Sequence, residues 1–333
     1  RVDLTQRPFS SGGPPRTGRW QIPLVLDHGG RTHRVLLQHD RQTLTLPGCT
    51  ATPLVVNPQG VGFYRVAYAP ALQSALTAGF LQLPPAAQIT LLSDRFALAQ
   101  SGEQPMSAWL DLVAQLPPTR GPAHAALMGQ AQAGLRLLGE ALHGSVAAAP
   151  LAAATRALLA PELLALGWAA RPGEDSETEA LRAGLIRDLA AVDDTDVLAR
   201  AQALFDDDEA GRAPMPAAVR AAVIGAVGRA ADGRPFNALK RRLLAATSDD
   251  DRWRFASALA RTPDAERARE VLALSLTDAL PANLATRLPG MVSEARWHGE
   301  LAYQHVVEHW ANLAARSGGM FGAKAWLLPG AAW

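Results

Sequence analysis

One cysteine, Cys49, stands in a chain of 333 residues. A single thiol excludes an internal disulfide and any zinc site built on several cysteines, and it leaves the compartment unspecified. Charge of one sign is missing as well: 32 Lys and Arg face 31 Asp and Glu, a formal net charge of +1. A nucleic-acid binder needs a clustered basic face. Basic residues adjoin at Lys240, Arg241 and Arg242, but Asp249, Asp250 and Asp251 follow, so this stretch reads as a solvated helix face. No apolar run reaches the roughly 18 residues that cross a bilayer, because residues 147–170 are interrupted by Pro150, Arg156, Pro161 and Glu162. The expectation is a protein with neither nucleic acid nor membrane as partner.

Signatures of chemistry are scarce. There is no G-x-x-x-x-G-K-[ST] phosphate loop, no G-x-G-x-x-G and no G-x-S-x-G nucleophile elbow. Gly60-Val61-Gly62 is a fragment of a glycine motif with no helix N-terminus behind it to hold a phosphate.

What is present is globular in composition, 48% hydrophobic and 19% charged, and long enough for two domains or a small domain with a helical array. Residues 1–68 carry β texture. Residues 20–26 and 32–39 read as strands joined at Gly29-Gly30, a pair that supplies the positive φ angles of a tight hairpin. Residues 43–46, 54–57 and 62–68 read as further strands. Pro8, Pro14 and Pro15 suit edges and loops. After Tyr68 the apolar period changes to about 3.6. Helices are predicted over 71–78, 86–100, 107–116 (stopped by Pro117-Pro118), 177–191, 196–205, 217–230, 236–246, 251–260, 265–274 and 303–316. Asp and Ser stand ahead of several as N-caps. The fold expected is mainly α: a small N-terminal β-sandwich over 1–68, then an α-α superhelical, HEAT-like domain of helix pairs over 69–333.

One constellation has the form of a metal site. His305-Val306-Val307-Glu308-His309 matches H-x-x-E-H, the inverted zincin pattern. On a helix His305 and His309 share a face, with Glu308 beside them as a possible base. A catalytic zinc needs a third protein ligand, and residues 310–333 contain no Asp, Glu, His or Cys. Upstream, Glu294, His298 and Glu300 have no recognisable spacing. The stretch reads as the wet face of an amphipathic helix, and no catalytic, cofactor-binding or metal-binding residue is assigned. The acidic runs Asp206-Asp207-Asp208-Glu209 and Asp249-Asp250-Asp251 lack the spacing of a calcium loop and read as solvation and capping. Trp109, Trp168, Trp253, Trp297 and Trp310 read mostly as packing residues.

Residues Asn57-Pro58-Gln59-Gly60-Val61-Gly62-Phe63-Tyr64-Arg65-Val66-Ala67-Tyr68 resemble a hallmark of the aminopeptidase N family, N-x-x-x-x-G-[FY]-Y-R-V-x-Y. Trp20-Gln21-Ile22-Pro23-Leu24 matches its W-x-I-P-[LV] strand, and Gln6-Arg7-Pro8-Phe9 is similar to Q-x-R-F with one position changed. Leu91-Leu92-Ser93-Asp94-Arg95-Phe96-Ala97-Leu98-Ala99 resembles L-L-x-D-x-[FW]-x-L-A. Gly167-Trp168, Glu174-Asp175-Ser176 and Leu181-Arg182 resemble the G-W…D-S…L-R stretch, and His309-Trp310 stands where the family has N-W. The likeness runs from the first residues to about Trp310.

The resemblance implies the C-terminal part of a zinc exopeptidase that removes N-terminal residues from peptides. In that family an H-E-x-x-H helix with a downstream Glu binds zinc, and a G-x-M-E-N loop holds the free amino terminus. Neither motif occurs in this chain. Zinc is therefore expected in a catalytic domain outside it, with that domain and the peptide substrate as partners. The start at Arg1, without Met and in what reads as mid-strand, suits a piece of a longer protein. Residues 1–68 resemble the family's spacer domain, and residues 69–333 most of the helical bowl that covers the active site. The Ala- and Arg-rich usage fits a GC-rich bacterial source. The alternative is a stand-alone helical-repeat module that binds peptides or proteins.

Overall fold

The computed structural model describes residues 1–10, 17–50, 52–116, 123–229, 233–295 and 297–317. Pro14, Pro15, Pro117 and Pro118, read above as loop and helix-stop residues, lie outside them. The fold is mainly α with a small N-terminal β portion. It divides into two compact units, Arg1–Ala148 and Ala149–Trp333.

The first unit opens with five strands: β1 (Val2–Thr5), β2 (Ile22–His28), β3 (Arg31–Leu37), β4 (Arg41–Leu44) and β5 (Val55–Val56). Two antiparallel sheets result, β1-β4 and β3-β2-β5. Gly29 and Gly30 adopt φ of 62° and 75°, so the β2-β3 hairpin turns where the sequence predicts. Alternation then decides the faces. Leu24, Leu26, Leu37, Leu54 and Val56 form a buried core, and Val2, Leu4 and Leu44 from the other sheet pack on it.

One predicted strand is not a strand. Residues 62–64 form bends and 65–68 have no regular secondary structure; the burial of 62–68 alternates residue by residue, but they join no ladder. Their backbone and side chains are instead held by single side chains, described below. Among the described residues four α-helices follow: α1 (Pro70–Ala78), α2 (Pro85–Gln100), α3 (Ser107–Val113) and α4 (His124–Ala141). Trp109 of α3 is 1% exposed and packs on Phe96 of α2, with ring centroids 4.8 Å apart. Gly134 of α4 leaves the space that the Trp109 ring fills.

The second unit is helical: α5 (Ala148–Leu166), α6 (Ser176–Ala191), α7 (Thr195–Glu209), α8 (Arg220–Arg229), α9 (Gly233–Ala245), α10 (Asp249–Leu259), α11 (Ala265–Leu274), α12 (Ala282–Ala285), α13 (Leu288–Glu294), α14 (Gly299–Glu308) and α15 (Trp310–Arg316). Asp and Ser do cap helices, as expected in kind, with three of the helix starts lying one or two residues earlier than predicted. Asp175, Asp194, Ser248 and Asp264 each accept a hydrogen bond from a backbone N–H of the first turn they precede. Helix α8 packs against α6, α7 and α10, and Val223, Ile224, Ala226, Val227 and Gly228 are all buried, as a helix surrounded by neighbours requires.

Two readings change here. The predicted helix over 303–316 is two helices, separated at His309 (φ −111°, ψ 19°); the β-branched pair Val306-Val307 and His309 itself are weak helix formers. Helix α5 runs through Pro150, Arg156, Pro161 and Glu162, which the sequence reading took as breaks in an apolar run. By length and composition alone, α5 is long and apolar enough to cross a membrane, although Thr155 and Glu162 on it are buried.

Candidate functional site

The residues that carry the family resemblance meet one another in space within each unit. Asn57 sits at φ 58°, a left-handed conformation that Asn tolerates better than most side chains. Its side chain is buried and clamps Gly62 from both sides. Nδ2 donates to the Gly62 carbonyl at 3.1 Å, and Oδ1 accepts from the Gly62 N–H at 2.9 Å. Asp94 of α2 then holds the segment beyond it. Its Oδ2 accepts from the Val66 N–H at 3.1 Å, and its Oδ1 accepts from Arg65 at 3.1 Å; Arg65 also donates to Ser93 Oγ at 2.7 Å. Tyr68 closes the arrangement by serving both polar groups of Val56: its oxygen accepts from the Val56 N–H at 2.9 Å and its hydroxyl donates to the Val56 carbonyl at 3.3 Å.

Burial sets the electrostatics of this junction. It pushes the Asp94 carboxyl above its ordinary pKa, against the hydrogen bonds from Arg65 and Val66 that pull it down. Burial likewise raises the Tyr68 phenol. Both residues border a small pocket walled otherwise by aliphatic side chains such as Leu76, Leu83 and Leu91. Thr90, also on its wall, spends its hydroxyl on the Ala86 carbonyl at 2.8 Å. The pocket offers no nucleophile paired with a base. Gln6 and Trp20 repeat the theme: the Gln6 amide donates to the Trp20 carbonyl and accepts from its N–H, each at 2.9 Å.

The second unit handles its motif residues alike. Arg182 of α6 has no exposure at all. Its Nε donates to the Gly167 carbonyl at 2.9 Å, and its Nη2 meets Glu174 Oε1 and Oε2 at 2.6 and 2.8 Å. Gly167 has φ 75° just past α5, where a Cβ would be strained. The G-W…D-S…L-R stretch thus ties a helix end, a loop and the next helix together.

His305, Glu308 and His309 do not assemble a metal centre. The hydroxyl of Ser275 donates to the Leu272 carbonyl at 2.6 Å, so its oxygen accepts from His305 Nε2 at 3.0 Å. This arrangement calls for a proton on His305 Nε2. Burial, then His309, bring its pKa down to about 4, with Glu308 acting in the opposite sense. The His305 and His309 rings meet edge to face, centroids 4.8 Å apart. Among the described residues no group of three or more His, Cys, Asp or Glu side chains gathers as a metal site would require, so this donor set does not fit zinc. Nor is Ser275 with His305 a nucleophile pair, since Ser275 is fully buried and its proton is engaged. Ser275, 30 positions from His305, carries no local signal that ties it to the motif.

The charge runs serve one another. Asp206 faces Arg234, Asp207 pairs with Arg212, and Asp208 with Arg242 at 2.7 Å; Glu209 pairs with both Arg241 and Arg242. Lys240 reaches Glu270 at 2.8 Å. The basic run of α9 is thus joined to α7 and α11, not merely solvated. Asp249, Asp250 and Asp251 fill the first turn of α10 behind the Ser248 cap, where negative charge suits the helix dipole. Among the tryptophans Trp109 is buried, whereas Trp297 and Trp310 are 41% and 38% exposed.

Asn57, Arg65, Tyr68, Asp94, Glu174 and Arg182 thus hold backbone or one another, and it is the extent of the likeness that decides kinship. A family model described as ERAP1-like C-terminal domain, of the M1 aminopeptidases, matches residues 53–331. The chain belongs to this family. The ERAP1-like match takes in the Asn57 junction and the helices after it, while β1 to β4 lie ahead of it. Comparison with curated proteins gives no match.

Proposed function

We propose that this ERAP1-like chain is the non-catalytic C-terminal part of a zinc aminopeptidase that releases N-terminal residues from peptides. Its role is to enclose the active site and to govern which peptides reach it. One observation carries the reading: the chain matches the C-terminal domain family over 53–331, and its motif residues Asn57, Asp94, Glu174 and Arg182 spend their polar atoms on holding backbone and one another. A peptide bond is not cleaved at useful rates without an activated nucleophile and a stabilised oxyanion. By this proposal zinc and the amino-terminus-binding loop belong to a separate catalytic domain, the partner on which this chain acts. A helical array suits such a task, since it offers surface for an extended ligand without bringing chemistry to it.

The test measures hydrolysis of aminoacyl-coumarin substrates and of peptides of graded length. This chain is assayed alone, and the catalytic domain with and without it. The expected result is no turnover by this chain and a change in peptide-length preference when it is present. Length preference that is unchanged by its presence overturns the gating role. Chelator-sensitive turnover by this chain alone, lost in His305→Ala, overturns the non-catalytic reading.

A further inference from the structure

The β2-β3 hairpin brings two histidines together. In its register Leu26 stands opposite His33, and His28 opposite Arg31. Side chains two apart on a strand share a face, so His28 lies on the same face as Leu26 and His33, one pair nearer the turn. This is the face that carries Leu24, Leu26 and Leu37 into the core. The two histidines stand where it runs out towards Gly29-Gly30, and both are half-buried. Their ring centroids lie 6.3 Å apart, with the planes inclined at 55°.

Neither ring is committed elsewhere. His33 Nε2 is buried and has no hydrogen-bond partner among the described residues, and the His28 ring engages no described residue by hydrogen bond or ion pair. His305, in the chain's other close histidine pair, has its Nε2 engaged by Ser275. A neutral imidazole keeps one nitrogen with a free lone pair, and that nitrogen is a metal ligand. Two imidazoles that bind one ion at about 2.0–2.1 Å have ring centres about 4.5–6.5 Å apart, according to the angle at the metal. The separation of His28 and His33 already falls within that range.

We propose that His28 and His33 form a binding site for a late first-row transition-metal ion, with Cu(II) held most tightly. Imidazole suits copper, nickel and zinc, and affinity at a given nitrogen site climbs to Cu(II) and drops again at Zn(II). No group of three or more His, Cys, Asp or Glu side chains gathers among the described residues, so water completes the coordination. The site is thereby distinct from structural and catalytic zinc centres, which take three or four protein ligands. The ion links β2 to β3 beside the turn, and because it recognises the folded hairpin it stabilises the fold by mass action.

Calorimetric titration of the untagged full chain with Cu(II) tests the site, with Zn(II) and Mg(II) as comparisons. One Cu(II) per chain is expected, with Zn(II) at least tenfold weaker and no uptake of Mg(II), which prefers oxygen ligands. Electron paramagnetic resonance of the Cu(II) complex should show coupling to two imidazole nitrogens. His28→Gln and His33→Gln are each expected to weaken Cu(II) at least tenfold, and His309→Gln to leave it unchanged. Cu(II) should raise the melting temperature of the parent chain and not that of His33→Gln. Should a variant fail to fold, imidazole NMR of the parent chain decides, with the His28 and His33 resonances expected to shift first on addition of Zn(II). No Cu(II) binding, undiminished binding by both hairpin variants, coupling to a single nitrogen, or other histidines shifting ahead of these two overturns the site.

Discussion

Gly228 of α8 meets the backbone of Ala258 in α10 so closely that a Cβ on Gly228 would lie 2.9 Å from Ala258 Cα and overlap its carbonyl. Both residues are buried, and the obstacle is backbone, which cannot rotate away. Gly228→Ala is therefore expected to destabilise the chain by about 1–3 kcal/mol or more through overpacking. Gly129→Ala in α4 meets nothing within 4 Å and is expected to be neutral or stabilising by up to about 1 kcal/mol. Urea unfolding of both variants decides the matter; similar midpoints for the two would contradict the close approach.

Asn57 combines a backbone requirement with a side-chain clamp, and two substitutions separate them. Asn57→Gly keeps access to φ 58° but drops both hydrogen bonds to Gly62, at a cost of about 1–3 kcal/mol. Asn57→Ala adds the left-handed penalty of about 1–2 kcal/mol. The Ala variant should unfold at lower denaturant than the Gly variant, and the reverse order would remove the backbone argument.

Arg182→Met fills the same buried volume but leaves the Gly167 carbonyl without its donor, which costs about 1–3 kcal/mol. Thermal unfolding followed at Trp168, next to Gly167, is the direct reading. A wild-type melting temperature would show that the tie between α5 and α6 carries no stability.

His305 makes stability depend on pH in one window. Its folded pKa of about 4 lies below the ordinary value near 6.5, so between these values the unfolded chain binds the extra proton. Stability contributed by neutral His305 is complete above about pH 6.5 and is lost as pH falls toward 4. His309 and Glu308 face the same ring, so the comparison is made against His305→Gln, which should show a shallower fall between pH 6.5 and 4.5. Parallel curves for the two proteins would mean that His305 is charged in the fold.

The fold was legible wherever a repeating pattern met a local stop. Gly29-Gly30 placed the hairpin, and the expectation of Asp and Ser caps holds at Asp175, Asp194, Ser248 and Asp264, because a cap needs only its own first turn. Residues 62–68 show where such reading ends. Their alternation shows in the burial, which switches residue by residue, but the segment bends at 62–64 and forms no strand, and the group that binds Val66 is a carboxylate 28 positions away. No periodicity encodes that distance. The same holds for Ser275 beside His305 and for the ion pairs between α7 and α9. Proline and charge interrupt the apolar run of α5 without interrupting the helix, which contains Pro161 and buries Glu162.

The Asp94 bridge bears on how this protein can be dissected. Secondary structure changes character at Tyr68, which invites a cut there, yet Asp94 and Ser93 on α2 supply the acceptors that Arg65 and the Val66 N–H need. An expression fragment ending at Tyr68 would carry a terminal segment stripped of those acceptors, with residues such as Val66 and Tyr68, which pack on the β core, no longer braced by α2. Its complement would keep in α2 a carboxylate that has lost the partners it serves. Fragments divided at Ala148 keep the bridge whole, and solubility screening of the two cloning strategies should separate them at the first expression trial.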